Sequence, residues 1–212
     1  MLYDNLSIND AGHLAIAGID ACELAATYGT PLYVLDEDRV REKCRTYVQA
    51  MKRHFPAGSM PLFASKALCF RGMYPVVESE GMGADVVSAG EIATALSTGF
   101  PASKLYFHGS NKTDAEIVYG VEHGVGCFVV DNLDELETLG HVALSHGITQ
   151  EVLLRVAVGL DPHTLAAIST GKVDSQFGVS IDTGQALPFV EQALKTPGVK
   201  VIGYHRDRKS VV

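Results

Sequence analysis

Four short strings of this 212-residue chain place ionisable side chains within apolar runs or at their ends. In PLFASK, residues 61–66, an apolar strand candidate closes on Lys66. A lysine held in such a place and partly desolvated has a lowered pKa and a nucleophilic amine. It can equally be a lysine that lays its stem on the strand and keeps its charge in water. In ADVVSAGE, residues 84–91, Asp85 interrupts apolar neighbours and Glu91 stands three residues after Ser88. A carboxylate inside an apolar strand must be paired or hydrogen-bonded. The Ser88–Glu91 spacing is that of a capping box, which needs no chemistry to explain it.

In LYFHGSNK, residues 105–112, His108 either faces the mouth of a site or terminates its strand. Asn111 and Lys112 suit contact with a substrate, or a loop and a helix start. In VLLRVAV, residues 152–158, Arg155 requires an acidic partner or a bound anion if it is buried. A polar stretch over 161–177 holds His163, Thr164, Ser169, Gly171, Lys172 and Ser175, enough to line a mouth or to form ordinary surface. There is no Walker A string, Rossmann fingerprint or HExxH, and the histidines lack zinc-ligand spacing, so metal catalysis has little support.

The elements that must position these groups alternate. Asp20 followed by Glu23 opens a short helix ending near Gly29, and Leu32 to Leu35 reads as a strand. A helix over 37–54 follows, with Val40, Cys44, Val48 and Met51 on one face. Further strands are expected over 61–66, 84–88, 105–108, 126–130, 152–158 and 199–204. Helices are expected over 71–80, from Ser88 to about Thr98, after Thr113, from Asn132, and over 184–194. Repeated βα units predict a mainly parallel sheet, either doubly wound or of the (β/α)8 barrel type. Six strands after residue 60 are too few for a closed eight-stranded barrel.

Composition narrows the classes. With 25 acidic residues against 17 Lys and Arg the net charge is −8, which disfavours nucleic acid as a partner. A 47% hydrophobic content excludes low-complexity disorder. Cys22, Cys44, Cys69 and Cys127 form no CxxC pair, which suits a reduced cytoplasmic setting. No secretory signal and no apolar run of membrane-spanning length is found, so no membrane association is expected.

The strings TPLYVLD (30–36), FASKAL (63–68), ADVVSAGE (84–91), FHGSNKT (107–113), LRV (154–156) and DPHTLAAISTGKVDSQFG (161–178) occur in an order that resembles the fold-type III pyridoxal-phosphate decarboxylases, and within them the diaminopimelate decarboxylase family. The resemblance implies an alanine racemase-like (β/α)8 barrel, here incomplete and lacking its last strands and a C-terminal β domain. It implies an extension over 1–36 that packs with that β domain, a partial cofactor-binding barrel over 37–205, and an atypical tail over 206–212. It assigns Lys66 as the lysine that carries pyridoxal 5'-phosphate as a Schiff base. Asp85, Glu91, Arg155 and His205 fall in the cofactor site; His108, Asn111 and Ser175 fall in the pocket.

The implied reaction is decarboxylation of meso-2,6-diaminoheptanedioate to L-lysine and carbon dioxide, by a homodimer in the full-length family. Several residues depart from the family pattern. Gln176 replaces a basic residue, and Leu165 and Ala167 replace a histidine and an aromatic. In GYHRDRKS, residues 203–210, Asp207 stands where a second histidine is usual and Lys209 where a glycine is usual. The resemblance therefore implies an N-terminal fragment that is inactive alone, without the family's phosphate-binding loop. A related ornithine, arginine or carboxypolyamine decarboxylase and a non-catalytic cofactor-binding barrel remain as alternatives.

Overall fold

The computed structural model describes residues 3–158 and 177–206. They divide into two compact units. One comprises the residues up to Pro61 with Ser79–Gly81; the other comprises Leu62–Glu78 and the residues from Met82 onward.

The first unit begins with three short strands, β1 (Leu6–Ile8), β2 (Leu14–Ile16) and β3 (Ile19–Asp20), paired antiparallel in the order β1-β2-β3. Their turn is closed by Asn9, whose Oδ1 accepts the N–H groups of Ala11 and His13. Strands of two or three residues are too short to display alternation, so the sequence does not announce them. Asp20 caps α1 (Ala21–Tyr28), as its type predicts, by accepting the Cys22 N–H. The run Leu32 to Leu35, expected as a strand, is not one. No neighbouring backbone forms a ladder with it among the described residues, and an extended apolar run becomes a strand only when it is paired. All four side chains are exposed.

Helix α2 (Glu37–His54) has the predicted bounds. Asp36 accepts the Arg39 N–H, acidic residues open the helix and Lys52, Arg53 and His54 close it, each charge favouring its end of the helix dipole. Of the predicted face, Cys44 is buried and Val40, Val48 and Met51 are half-buried. Arg41 and Arg45 converge on the Glu80 carboxylate, Arg45 through two bonds of 2.7 and 2.8 Å.

The second unit runs β4 (Leu62–Ala64), α3 (Met73–Ser79), β5 (Gly83–Val86), α4 (Ala89–Leu96), β6 (Leu105–Phe107), α5 (Asp114–Glu122), β7 (Cys127–Val130), α6 (Leu133–Ser145), β8 (Gln150–Ala157), β9 (Val179–Ser180), α7 (Ala186–Ala193) and β10 (Val199–His205). The sheet order is β10-β8-β7-β6-β5-β4, all parallel, with β9 added to the end of β8. Each long strand lies beside its predecessor, with no reversal of direction across the sheet. This is the winding of a (β/α)8 barrel and not of a doubly wound sheet. Among the described residues β4 and β10 do not pair with each other, so the barrel is partial.

Register divides the sheet into two chemically different faces. Val86, Phe107, Phe128 and Val152 lie side by side and are fully buried, as are Val130 and Leu154. Helix α5 packs on this face: a Cβ on Gly120 would stand 2.6 Å from the Phe128 ring, so only glycine allows the approach. Because side chains alternate along a strand, the residues between them occupy the opposite face. Asp85, Tyr106 and Cys127 form one row there, and Arg155 with His205 form another paired position.

Candidate active site

The C-terminal ends of the strands gather the ionisable groups. Lys66 stands two residues past β4, in a 3-10 turn over Ser65–Ala67, and not at the last strand position as expected. Its side chain is exposed. The next strand contributes Asp85, half-buried on the face away from α5. His108 follows β6, and its N–H donates to Val86 O at 2.8 Å. The ladder thus continues one residue beyond β6 and turns the imidazole to the Asp85 side.

His108 is the centre of the cluster. Its Nδ1 lies 3.8 Å from Asp85 Oδ1, and its ring lies against His205, centroid to centroid 4.5 Å. The side chain is 11% exposed, and Nε2 is buried without a hydrogen-bond partner. Burial, with the nearby His205, Arg155, Lys112 and Lys66, pushes its pKa down to about 3. The imidazole is therefore neutral at neutral pH, and its approach to Asp85 is not an ion pair. Of these, His205 lies directly against the ring, while Arg155, Lys112 and Lys66 act on it through their charge.

Arg155 has the acidic partner that its burial demands. Its Nη1 donates to Asp131 Oδ1 at 2.8 Å, with both side chains 4% exposed. The other Asp131 oxygen accepts the Gly178 N–H at 3.1 Å, and the Phe177 ring covers the guanidinium at 4.6 Å. Gly178 has φ +71°, and a Cβ there would stand 3.0 Å from Arg155, so a side chain is disfavoured on both counts. Asp131 is the residue that sequence reasoning missed. Its signal was available: it follows the apolar run CFVV, as His108 follows LYF, beside the strand holding a buried arginine.

Glu91 and Asn111 are placed differently. The Ser88–Glu91 pattern does not form the expected reciprocal box. Ser88 Oγ accepts the Glu91 N–H, but the Glu91 carboxylate accepts the Val87 N–H at 2.7 Å, one residue further back. Asn111 is exposed in a polar cleft it shares with Asp114, Asn132 and Asp134. Lys112, by contrast, is 1% exposed in its side chain and bound to Glu135 at 2.7 Å. Ser175, His163, Thr164, Ser169, Gly171, Lys172, Leu165, Ala167, Gln176, Asp207 and Lys209 lie outside the described residues.

Among the described residues one trio, His13, Asp20 and Cys22, has ligand atoms within 4.8 Å of one another. Asp20 already accepts bonds from Asn9, His13 and the Cys22 N–H there, which accounts for the cluster as a turn and helix cap.

Residues 37–206 match the family described as pyridoxal-dependent decarboxylase, pyridoxal binding domain. The chain belongs to that family. It is 41% identical over 203 residues to a diaminopimelate decarboxylase of Bacillus methanolicus, covering 96% of this chain and 47% of that protein. It is 41% identical to that of Bacillus subtilis, over 93% of this chain and 45% of the relative. The fold also matches the crystal structure of diaminopimelate decarboxylase from M. jannaschii in co-complex with L-lysine, with TM-score 0.86 and 32% identity, over 98% of this chain and 48% of that one. The chain thus spans about half the length of the curated relatives it matches. No helix among the described residues is long and apolar enough to cross a membrane.

Proposed function

We propose that this chain is the cofactor-binding half of a decarboxylase that converts meso-2,6-diaminoheptanedioate to L-lysine and carbon dioxide, with Lys66 as the residue that attaches pyridoxal phosphate. The observation that carries the reading is a buried, neutral His108 at the strand ends, set beside Asp85 and His205 and within the field of Lys66 and Arg155. The lysine co-complex of the M. jannaschii relative supports the product.

The residues present fit this cofactor. His108 Nε2 is a buried polar atom lacking a partner, and an exposed lysine amine stands on the neighbouring turn. When bound, pyridoxal phosphate supplies an electron sink for the pair of electrons left behind as carbon dioxide departs. Lys66 would hold the cofactor through its side-chain amine. Asp85 and His205 flank the His108 ring, while Arg155, locked to Asp131, forms a fixed part of the wall. The neutral imidazole offers Nε2 as a hydrogen-bonding position without adding a second cation beside Lys66. Glu91 takes part from its half-buried place at the start of α4, Asn111 and Ser175 as pocket residues.

Residues 1–36 are read as an extension that packs with the remaining half of the longer relatives, in keeping with the exposed Leu32, Tyr33, Val34 and Leu35. The working enzyme is read as a homodimer in the cytoplasm, and this chain by itself as inactive in turnover.

The test is reconstitution. Purified chain mixed with pyridoxal phosphate is expected to give an absorption band near the visible edge that borohydride fixes onto Lys66, and Lys66→Ala to lose it. The band without carbon dioxide release from meso-diaminopimelate supports a binding-competent half. Absence of the band overturns cofactor binding by this chain. Release from ornithine or arginine instead overturns the substrate assignment.

A further inference from the structure

A buried ion pair, Lys112 with Glu135, lies outside the groups assigned to the cofactor. Lys112 Nζ donates to Gly109 O at 2.8 Å, Val129 O at 2.7 Å and Glu135 Oε1 at 2.7 Å. These three acceptors use all three N–H bonds of an ammonium, whereas a neutral amine would leave one acceptor unmatched. Burial pulls the amine down from the ordinary lysine range, and the Glu135 carboxylate opposes that pull. Glu135 is itself tied, its second oxygen accepting the Asp131 N–H at 3.1 Å.

The positions of the acceptors matter. Gly109 directly follows His108 and has φ +120°, a conformation open to glycine. Its carbonyl is the first fixed point of the backbone after the imidazole. Val129 belongs to β7, the next strand, and Asp131 beyond it holds Arg155. One cation therefore joins the turn that carries His108 to the strand end that anchors the arginine.

We propose that Lys112 is a positioning residue, whose ammonium, balanced by Glu135, staples the His108 turn to the end of β7 and so fixes the imidazole between Asp85 and His205. It touches neither substrate nor cofactor and acts through His108. Asp85 on β5 and His205 on β10 are the neighbours of that ring, and the charges of Arg155 on β8, Lys66 on the turn after β4 and Lys112 act on it from further off; the Lys112 ammonium itself lies over the Phe107 ring at 5.4 Å. Fixing the ring among so many charges keeps it in one tautomer and out of water. A loose turn lets water in and frees it to take a proton.

The test uses the full chain labelled with 13C and 15N at histidine and lysine, and needs no catalysis. In the unaltered protein, Lys112 is expected to give a slowly exchanging 15Nζ ammonium signal at neutral pH, and His108 a single tautomer that does not titrate between pH 5 and 8. A neutral Lys112 amine overturns the proposal without any variant. Lys112→Met combined with Glu135→Gln removes both charges while keeping an acceptor for the Asp131 N–H. In that variant His108 is expected to show mixed tautomers and to begin to take a proton within the pH 5–8 window. A folded double variant whose His108 tautomer and titration are unchanged overturns the proposal, because a merely structural pair would alter the melting temperature alone. If the double variant does not fold, Lys112→Met alone is measured by the same signals in the folded fraction stabilised with glycerol, with the same two outcomes.

Discussion

The junctions after β5 and after β7 are built from the same local pattern and do different work. Each has a strand ending in valine, a polar N-cap two residues on and a glutamate three residues after the cap. Ser88 Oγ and Asn132 Oδ1 accept the N–H of Glu91 and Glu135, and each glutamate reaches back four residues, to the N–H of Val87 and of Asp131. There the likeness ends. Glu91 is half-buried and keeps a local bond. Glu135 is 6% exposed and meets Lys112, delivered by the loop before α5. The residue before the cap is an inert valine in one case and, in the other, the aspartate that holds Arg155. Local sequence sets the wiring of a helix start; the charges that neighbouring elements bring decide whether that start is also part of a site.

The contrast is most exposed to failure at Asp131. Asp131→Ala leaves a buried guanidinium and the Gly178 N–H without their acceptor, and is expected to cost about 3–5 kcal/mol in denaturant unfolding, whereas Val87→Ala stays near 1 kcal/mol. Equal losses would remove the distinction. Glu135→Gln, which strands the Lys112 ammonium, is expected to lose about 3 kcal/mol.

Acid provides the next measure. The His108 pKa is held down to about 3 in the folded chain, so the folded state refuses a proton that the unfolded state accepts below about 6.5. Its contribution is complete above that unfolded value and is lost as pH falls from there toward about 3, with a slope near 1.4 kcal/mol per pH unit. His108→Gln is expected to flatten that part of the profile; an unchanged slope would place the lost stability elsewhere. Smallest of all, Glu91→Gln weakens one charge-assisted bond to Val87 and is expected to cost about 1 kcal/mol in the same assay.

Much of this was legible in the residues. Periodicity and caps located α2 and the helices after Ser88, Thr113 and Asn132, because those signals are local and strong. The Thr113–Glu116 pattern forms a full capping box. Lys66, Asp85, His108 and Arg155 were visible as polar side chains within apolar runs or at their ends. The Leu32 to Leu35 segment misled because pairing, not composition, makes a strand. The Asp131 partnership was hidden because 24 residues separate it from Arg155, and no local pattern links them.

Residue type and short spacing are enough to specify the family, the βα alternation and the polar groups available to a site. Which face of the sheet those groups share, and which charges meet, follows from packing. Parallel register set Asp85, His108, Arg155 and His205 on the side away from α5, and burial turned His108 neutral and paired Lys112 with Glu135. Those outcomes depend on distances between residues far apart in the chain and on the exclusion of water, which only the packed fold specifies.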